Sequence, residues 1–547
     1  MKTDPTLQPF FNPRGVVVIG ASPDPTKLGY RLAHNLITSG YQGGVHFVNI
    51  KGGKMLGKPI YPSVQEIPDP VDLAVILIPA RFIPQTLEEC GERGIAAAII
   101  GAGGFRETGP EGAKLEEEML KVARKEGIRL IGPNCVGLLD THLPLNTTFL
   151  PPPGPTPGDV AFLSQSGAIC AAAIDWARGQ GYGISRLVSL GNQADVRESD
   201  VLTQVAADEH TRVLALYLEG VQDGRHFVRQ AQQVVKQKPI IALKVGKFEA
   251  GRKAVASHTG ALAGKDSAYT AAFRRAGVLR AKNTEGMFDQ ARALAWCSPP
   301  EGNRVAILTN AGGPGVTAAD ALEEHGLALA SLETGTRDRL QEILPPAASL
   351  ENPVDLLASA TPEQFAECLT ILLQDAGTDS VMVIFPTPPM HAAGAVARAL
   401  IPVIQAAAKP VVVSVMGERL IQEAVEHLRA ARIPEYRFPE RAAAALSALY
   451  QRAQLLNMAR APVETRDDVD PDQVKEILED NGSRKPLSSR LAHQILEAYG
   501  IHTARMYLAD TEDQAVLLAN TVGLPVVLKV ASPDISHKTD VGGVLLN

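Results

Sequence analysis

The chain alternates between short, continuously apolar runs and longer segments rich in Ala and Leu. The apolar runs are rich in β-branched residues and do not alternate with polar positions, which is typical of strands buried on both faces of a parallel sheet. Nine runs predict such strands: Val16–Gly20, Leu73–Ile78, Ala96–Gly101, Val160–Leu163, Arg212–Tyr217, Ile240–Lys244, Val305–Thr309, Val381–Phe385 and Val411–Val415. Because helical segments separate these strands, the pattern predicts an α/β protein with several doubly wound domains in series.

Proline, glycine and charged residues concentrate at three places and divide the chain into units. Leu150–Gly158 is typical of a stiff linker, Cys297–Asn303 separates a second unit from a third, and Asp467–Pro486 predicts a connector with a short helix. We expect units at residues 1–148, 158–297 and 302–462, a linker at 463–485, and the start of a further unit at 486–547. The strand–loop–strand pattern at Val526–Leu546 is too short to bury itself, so we expect a longer chain or a partner chain to complete it.

Composition and charge exclude several classes of function. Apolar residues make up 45 % of the 547 residues and charged residues 21 %, which is ordinary for a soluble globular protein. The formal net charge of -7 and the aromatic content of 5 % argue against a nucleic acid partner. The polar start is unlike a signal peptide, and the apolar runs are shorter than the roughly 20 residues of a membrane helix. The 5 Cys residues are scattered, which argues against disulfides and a Cys-rich zinc site, so we expect a cytoplasmic enzyme without membrane contact.

The first predicted strand ends in a turn that has the form of a phosphate site. Gly20, Ala21 and Ser22 follow this strand and precede a helix that begins near Gly29. At such a place, an open α/β sheet offers backbone N–H groups and a helix dipole to a phosphorylated ligand. The three-glycine dinucleotide pattern is absent, so an ordinary strand-to-helix turn fits the spacing equally well. Lys51, after the next strand, fits either a phosphate contact or a solvated loop position.

A second candidate contact follows the strand at Leu130–Ile131. In Gly132–Leu138 (GPNCVGL), Asn134 and Cys135 lie at the carboxyl end of that strand, where such sheets bind ligands. A lone Cys at such a place is more often a buried thiol than a nucleophile. The residues therefore favour a structural thiol and leave a ligand contact open.

Two glycine-led helix starts lie in separate predicted units, and each directly follows an apolar strand. The first is Ser164–Ala168 (SQSGA) and the second is Thr309–Gly315 (TNAGGPG). In the first, Ser164 or Ser166 can cap the helix, and glycine lets a phosphate approach the backbone. The candidate phosphate contacts are Ser164, Gln165, Ser166, Gly167, Gly312, Gly313 and Gly315. The two starts could face each other across one phosphoryl group, or they could be two unrelated turns.

Two histidines complete the set of candidate residues. His258 is flanked by Ser, Thr and Gly in Ala256–Gly264, so one ring nitrogen could attack phosphorus while a partner such as Glu219 orients the other. His537 follows Lys529, which ends an apolar strand and could meet nucleotide phosphates. A structural, hydrogen-bonded role for a lone histidine and a solvated position for Lys529 are the competing interpretations.

Taken together and in this order, nine segments resemble the ADP-forming (NDP-forming) acyl-CoA synthetase family, a relative of succinyl-CoA synthetase. The resemblance covers nearly the whole chain. Its segments are VIGAS near the start, GPNCVGL, SQSGA, LGNQADV at Leu190–Val196, LYLEG, SHTGALAG, TNAGGPG, NPVDL at Asn352–Leu356 and LKVASPDISHKTDVGGV. The resemblance implies a CoA-binding Rossmann-like domain, two flavodoxin-like domains of the succinyl-CoA synthetase type, and the start of an ATP-grasp domain.

The resemblance also implies roles for the candidate residues. His258 matches the phosphohistidine, Glu219 the carboxylate that steadies it, and His537 a second histidine that passes phosphate toward the nucleotide. The helices beginning at Gly167 and Gly315 match the pair whose dipoles embrace the phosphohistidine. The implied CoA contacts are Gly20, Ala21, Ser22, Lys51, Asn134 and Cys135, and the implied nucleotide contact is Lys529. The cofactors are CoA, ATP or ADP, and Mg²⁺, whose carboxylate ligands are expected beyond these residues.

The implied reaction interconverts acyl-CoA, ADP and phosphate with a carboxylic acid, ATP and CoA through an acyl phosphate and a phosphohistidine. Acetate is the acid that the resemblance implies first, although no residue identifies the acyl group. Two alternatives stay open: a CoA-binding regulatory or scaffold protein without turnover, and the CoA-ligase-like part of a protein lysine acetyltransferase. The expected partners are small-molecule substrates, with either a second copy of the chain or a partner chain that completes the ATP-grasp domain.

Overall fold

The computed structural model describes residues 3–259, 264–387, 390–460, 469–481, 487–532, 535 and 538–546. The side chains at 256–259 and 458–460 lie outside the described part. The chain divides into two compact units, Met1–Arg460 and Ala461–Asn547.

The first sheet is built from the amino-terminal part of the chain. Its strands are β1 (Gly15–Ile19), β2 (Gly44–Val48), β3 (Gly53–Met55), β4 (Lys58–Tyr61), β5 (Leu73–Ile76), β6 (Ala97–Ile100) and β7 (Arg129–Ile131), and its helices are α1 (Gln8–Phe11), α2 (Leu28–Thr38), α3 (Ile83–Glu92) and α4 (Pro110–Glu126). The strand order is β3-β4-β2-β1-β5-β6-β7, and only β3 with β4 is antiparallel among these pairs of described strands. The chain leaves β1 through β2 on one side and returns through β5 on the other, which creates a topological switch point at the carboxyl ends of β1 and β5.

Alternate residues of β1 enter two different cores, which explains why this strand is a continuous apolar run. Val16 and Val18 belong to the core that also contains Leu32 of α2. Val17 and Ile19 belong to the core on the opposite face, to which α3 and α4 contribute. Helices therefore cover both faces of the sheet, as a parallel sheet requires.

The second sheet follows in the chain. Its strands are β8 (Leu138–Asp140), β9 (Leu145–Asn146), β10 (Pro157–Ser164), β11 (Ile184–Ser189), β12 (Val213–Leu218), β13 (Ile240–Lys244) and β14 (Leu279–Arg280), and its helices are α5 (Gly167–Gly179), α6 (Glu198–Ala206), α7 (Gly224–Val235), α8 (Glu249–Thr259), α9 (Asp266–Ala276) and α10 (Thr284–Trp296). The strand order is β14-β13-β12-β10-β11-β8-β9. The central strands β11, β10, β12 and β13 are parallel, so their carboxyl ends lie at one edge.

The β8–β9 hairpin differs from the expected domain boundary at residue 148. Both strands come before that residue, yet β8 pairs antiparallel with β11, with Val188 opposite Leu138. The hairpin is therefore part of the second sheet rather than of the first. Its strands are only three and two residues long, so their apolar pattern is too brief to assign them to either sheet from sequence.

The third sheet completes the first unit. Its strands are β15 (Arg304–Thr309), β16 (Ala328–Leu329), β17 (Val354–Asp355), β18 (Ser380–Pro386), β19 (Val411–Met416) and β20 (Glu435–Tyr436), and its helices are α11 (Gly312–Glu324), α12 (Thr334–Ile343), α13 (Pro362–Gln374), α14 (Ala393–Ala406), α15 (Gln422–Ala430) and α16 (Pro439–Arg460). The strand order is β16-β15-β18-β19-β20, and β17 pairs with β15.

The second and third sheets share one hydrophobic core. Phe162 of β10, Phe288 of α10, Ile307 of β15 and Leu446 of α16 belong to the same buried cluster. In that cluster α5 buries alanine and isoleucine side chains, and α11 buries alanine and leucine side chains. Because both glycine-led helices are anchored in one core, their positions relative to each other are fixed by packing.

The unit at Ala461–Asn547 contains three described helices and one small sheet. They are α17 (Pro471–Asn481), α18 (Ser489–Ala498), α19 (Glu512–Val522), β21 (Val527–Lys529) and β22 (Val544–Leu546). The two strands pair antiparallel, with Lys529 opposite Val544. The strand–loop–strand pattern predicted at Val526–Leu546 is therefore confirmed.

All nine predicted strands coincide with strands of the three sheets, within three residues at their ends. The predicted α/β class with parallel sheets and helical crossovers is confirmed. Long apolar runs identify central strands because such strands are buried on both faces. The short strands at the sheet edges lack this signal, which is why the pattern did not predict them.

Candidate functional site

The turn after β1 is fixed by hydrogen bonds to the end of β2. The N–H groups of Gly20 and Ala21 both donate to the Val48 carbonyl, at 3.0 and 3.2 Å. The Asn49 side chain donates to the Ala21 carbonyl at 2.8 Å. Gly20 has φ +96, and a Cβ there would lie 2.3 Å from the Leu77 carbonyl oxygen. Only glycine fits at this position without displacing the end of β5.

Ser22 and Lys51 lie near this turn, at the same edge of the first sheet. The Ser22 hydroxyl accepts the Asp24 N–H at 3.2 Å and so closes a local turn before α2. Lys51 is exposed in the loop that follows β2. Since β1 and β2 are parallel neighbours, their following residues lie side by side. The structure thus brings together Gly20, Ala21, Ser22 and Lys51.

Asn134 and Cys135 follow β7 but differ sharply in exposure. Asn134 is exposed, with φ 58, and its N–H donates to the Ala102 carbonyl at 2.9 Å. Cys135 is buried and its thiol faces the Ile100 carbonyl at 3.4 Å. Burial raises the pKa of the Cys135 thiol to about 12. The side chain of Asn134 can meet a ligand, whereas Cys135 is a protonated thiol inside the core.

The loop Leu190–Val196 joins the second sheet to the end of the first. Alternate N–H groups of this loop donate to carbonyls of residues 130–133 at 2.8 to 3.1 Å. The Asn192 side chain donates to Glu107 at 2.6 Å and to Glu116 at 3.1 Å. Burial tends to raise the pKa of Glu107, but the Asn192 amide and three backbone N–H groups, of Gly104, Phe105 and Glu107, hold it below its usual value. The loop therefore fixes the segment that presents Asn134.

The first glycine-led helix start is a tight hydroxyl-stabilised turn. The Ser164 hydroxyl accepts the Ser166 N–H at 3.0 Å and lies 2.9 Å from the Ser166 carbonyl. α5 then begins at Gly167 with Ser166 at the N-cap position, and no described side chain caps it. The expectation that Ser164 or Ser166 caps the helix is wrong. The Ser164 hydroxyl accepts the N–H of Ser166, the residue before the helix, instead of an N–H of the helix itself. The first N–H groups of α5 remain available to an anion.

Gln165 links this turn to the end of β12. Its Oε1 accepts the Glu219 N–H at 2.5 Å and the Gly220 N–H at 2.9 Å. Its Nε2 donates to the Gly220 carbonyl at 2.7 Å. The segments Ser164–Ala168 and Leu216–Gly220 are therefore held together by one buried amide.

The second glycine-led helix start repeats the geometry of the first. The Thr309 hydroxyl accepts the Ala311 N–H at 3.1 Å and lies 3.1 Å from the Ala311 carbonyl. α11 begins at Gly312 with Ala311 as N-cap, again without a side-chain cap among the described residues. Gly312 and Gly313 are exposed, whereas Gly315 is buried and faces Pro353. Both helix starts thus present uncapped N–H groups, and helix dipoles favour anions there.

A buried lysine and a buried glutamate lie at the adjacent ends of β13 and β12. Lys244 is 4 % exposed and its Nζ lies 4.5 Å from the centre of the Tyr269 ring. Burial lowers the pKa of Lys244, Asp266 and Glu219 counter this effect, and Arg280 adds to it. Glu219 is 6 % exposed. The two opposite charges stabilise each other in a place where water is scarce.

The two candidate histidines fall at or beyond the limits of the description. The backbone of His258 belongs to α8, and its side chain lies outside the described residues. His537 also lies outside the described residues. In the unit at Ala461–Asn547, Lys529 is exposed at the end of β21.

Glu198 is a buried carboxyl group that the sequence did not single out. It is the first residue of α6 and is 1 % exposed. Burial raises its pKa to about 7, Asp200 adds to this effect, and Arg197 and the Gln165 side chain counter it. An acidic residue in the first turn of a helix is typical of a solvated surface, so the local pattern carried no signal of burial.

No described helix is long and apolar enough to cross a membrane. Where the structure describes side chains, no group of three or more His, Cys, Asp or Glu residues could hold a metal ion.

Comparison with family models divides the chain into four parts. The CoA binding domain matches residues 14–141 and the succinyl-CoA ligase like flavodoxin domain matches residues 157–294. The ligase-CoA domain matches residues 305–459 and the ATP-grasp domain matches residues 477–547. These are the four kinds of domain that the resemblance implied.

Three known proteins are similar over most of the chain. The ADP-forming acetate–CoA ligase I of Archaeoglobus fulgidus is 42 % identical over 545 residues, which cover 99 % of this chain and 78 % of that protein. The alpha subunit of the ADP-forming acetate–CoA ligase II of Pyrococcus furiosus is 46 % identical over 82 % of this chain and 98 % of that subunit. The solved structure of the dinucleotide-forming acetyl-coenzyme A synthetase 1 of Ca. Korarchaeum cryptofilum, in complex with phosphate and ADP, is 36 % identical. It has a TM-score of 0.79 and covers 83 % of this chain and 99 % of that one.

Sequence identity over nearly the whole chain and similarity of structure lead to the same group of proteins. The glycine-led helix starts, the Gln165 bridge and the β1 turn lie within the matched domains. The chain belongs to the family of ADP-forming acetate–CoA ligases.

Proposed function

We propose that this protein is an ADP-forming acyl-CoA synthetase, an acid–thiol ligase. It interconverts acyl-CoA, ADP and phosphate with a carboxylic acid, ATP and CoA, and acetate is the first acid to test. The observation that carries the proposal is the 42 % identity to an ADP-forming acetate–CoA ligase over 99 % of the chain. The alternatives of a scaffold without turnover and of a lysine acetyltransferase part have no comparable support.

CoA binds at the carboxyl edge of the first sheet in this proposal. Gly20 and Ala21, whose N–H groups bind the Val48 carbonyl, shape the turn beside Ser22. The uncapped start of α2 and the Lys51 ammonium supply the positive field for the CoA phosphates. Asn134 supplies an exposed side-chain amide on the neighbouring loop. Cys135 contributes through its backbone only, because its thiol is buried.

Chemistry begins when a phosphate oxygen attacks the thioester carbonyl carbon. The C–S bond breaks, CoA leaves as a thiolate that takes up a proton, and an acyl phosphate remains. A ring nitrogen of His258 then attacks phosphorus, the P–O bond to the acyl group breaks, and the carboxylate leaves. Dividing the transfer in this way replaces one difficult step by two easier ones.

The charges on the phosphoryl group are met by the two glycine-led helix starts. The first turns of α5, from Gly167, and of α11, from Gly312, offer oriented N–H groups that need no reorganisation during transfer. Glu219 stabilises the positive imidazole, and Lys244 lies beside it at the end of the neighbouring strand. Support comes from the equal geometry of the two turns and from the burial of Glu219 and Lys244.

The phosphoryl group passes from His258 to ADP in a second site. We assign the acceptor half to the ATP-grasp part, with His537 as the relay and Lys529 near the nucleotide phosphates. The described residues contain no set of carboxylate ligands that fits Mg²⁺.

The partners and location follow the chemistry. The substrates are acyl-CoA, phosphate and nucleotide, with either a second copy or a partner chain completing the assembly. One relative is an alpha subunit that this chain covers almost completely, which supports a partner chain. We place the reaction in the cytoplasm, where the five free thiols remain reduced.

The test is phosphorylation of the protein by labelled acetyl phosphate, or by acetyl-CoA with labelled phosphate. We expect an acid-labile, base-stable label on the wild type and none on His258→Ala. The control is His210→Ala, which removes a half-exposed histidine elsewhere in the same domain. A wild type that binds CoA without acquiring label would instead support the scaffold alternative.

A further inference from the structure

Glu198 lies buried at a point where three segments of the candidate site meet. It follows the loop Leu190–Val196 and opens α6, and its side chain lies against that of Gln165. Neither carboxyl oxygen has a hydrogen bond partner of normal geometry in the described part of the chain. A buried carboxyl group of this kind is expensive to retain unless it interacts with something nearby.

The orientation of the Gln165 amide depends on what surrounds each end. Two donors, the N–H groups of Glu219 and Gly220, face its Oε1. On the other side, the Gly220 carbonyl accepts one hydrogen of Nε2. The second hydrogen of Nε2 needs another acceptor, and the Glu198 carboxyl group is the neighbour that can supply it. A flipped amide would place oxygen against oxygen at both the Gly220 and the Glu198 contact.

We propose that Glu198 is a positioning residue, which holds the Gln165 amide in one orientation and through it fixes the backbone that carries Glu219. This inference rests on the proposed function only for its catalytic consequence. The structural part of the inference, in which Glu198 orients Gln165 and Gln165 fixes the Glu219 backbone, does not depend on the proposed function. Glu198 does not touch substrate and acts only through Gln165.

The charged groups around Glu198 come from two helices. Arg197 and Asp200 flank it on its own helix start, and Asp200 accepts the Arg197 N–H at 2.9 Å. From α7, His226 lies 3.1 Å from the other oxygen of Asp200. Because burial raises the pKa of Glu198 to about 7, its carboxyl group gains a negative charge as the pH rises through neutrality. The ionised form is the stronger acceptor for Gln165.

The experiment compares Glu198→Leu and Glu198→Gln with the matched control Gln204→Leu. Gln204 is buried on the same helix and donates to Gln8, away from the Gln165 bridge. We measure the rate of histidine phosphorylation from acetyl phosphate at pH 6 and pH 8, and hydrogen exchange of the peptide covering 217–222. Glu198→Leu is expected to slow phosphorylation roughly tenfold or more relative to Gln204→Leu, because small misplacements of a catalytic group are costly. Exchange at 217–222 should be faster in Glu198→Leu alone.

Glu198→Gln keeps an acceptor without a charge. The ratio of its phosphorylation rate to that of the wild type should be near one at pH 6 and lower at pH 8. If Glu198→Leu fails to fold, this ratio alone tests whether Glu198 is a positioning residue. Equal phosphorylation and equal exchange in Glu198→Leu and Gln204→Leu would overturn the proposal, as would faster exchange without slower phosphorylation. If the wild type itself acquires no label, the proposed function fails. Hydrogen exchange at 217–222 in Glu198→Leu and Gln204→Leu then decides by itself whether Glu198 positions the Glu219 backbone.

Discussion

Gln165 Oε1 accepts the backbone N–H of Glu219 at 2.5 Å, across 54 positions of the chain. The bond ties the first residue after β10 to the first residue after β12, which is the neighbouring strand. A side-chain amide between two loops can hold both in register, because it donates and accepts at once. The turn that begins α5 and the carboxylate proposed to steady the phosphohistidine therefore move as one piece.

Replacing this amide should slow phosphoryl transfer without preventing CoA binding. Gln165→Glu keeps the shape but places a carboxylate oxygen against the Gly220 carbonyl, so the bridge is lost at one end. We expect a rate of histidine phosphorylation lower by roughly tenfold to a hundredfold. Gln232→Glu is the control, since it removes an exposed amide bond to the Arg275 carbonyl in the same domain. Equal rates in the two variants would contradict the bridge's role.

Stability should depend on pH through Glu198. Burial raises its pKa to about 7, so the folded protein holds a proton that the unfolded chain releases at lower pH. Stability is therefore lost as the pH rises from the unfolded pKa to the folded one. Glu198→Gln should match the wild type near pH 5 and be more stable at pH 8, by roughly 2–4 kcal/mol. Thermal midpoints at both pH values measure this.

The control for that experiment is Glu209→Gln, which neutralises an exposed carboxylate beside His210 in the same domain. It should leave the difference between pH 5 and pH 8 unchanged. A gain at pH 8 in both variants would point to net charge rather than to burial.

Gly20→Ala should destabilise the protein more than an alanine at another glycine with positive φ, because its Cβ would also clash with the end of β5. A Cβ at residue 20 would lie 2.3 Å from the Leu77 carbonyl oxygen, whereas at Gly40, with φ +90, the nearest atom lies at 3.9 Å. We expect Gly40→Ala to destabilise by about 1 kcal/mol and Gly20→Ala by clearly more. Calorimetric titration should also show weaker CoA binding for Gly20→Ala only. Similar affinities in both variants would place CoA elsewhere.

Asn192→Ala should remove stability in a pH-dependent way. The Asn192 amide donates to Glu107 and Glu116, and it helps to hold the pKa of Glu107 below its usual value. A carboxyl group with a lowered pKa stabilises the fold above its unfolded pKa and loses that effect as the pH falls. The variant should therefore lose more at pH 7, roughly 1–3 kcal/mol, than at pH 4.

Asn35→Ala is the matched control for Asn192→Ala. The Asn35 amide is also buried, but it donates to the backbone carbonyls of Thr148 and Leu150 at 2.9 and 2.8 Å. Its loss should reduce the thermal midpoint equally at pH 4 and pH 7. An equal pH dependence in both variants would show that Glu107 is not the group that matters.

The central strands, the α/β class and the order of the domains can be predicted from the amino-acid sequence. A run such as Val16–Ile19 is apolar throughout because its alternate residues enter two cores, and that requirement is visible locally. The strand-to-helix turns at Gly20 and Gly312 can also be predicted, because an apolar strand followed by glycine and an Ala-rich helix is typical of such turns in a parallel sheet. The nine ordered segments indicate the family from sequence.

Which side chains act together depends on contacts between distant residues and became visible in the three-dimensional fold. It placed Cys135 in the core, moved the β8–β9 hairpin to the second sheet, and used the Ser164 hydroxyl for a turn rather than for a helix cap. It also showed that the Gln165 amide binds the Glu219 backbone and lies beside the buried Glu198. Local pattern specifies the backbone, whereas burial and hydrogen bonding between distant residues arise only when the strands are placed side by side.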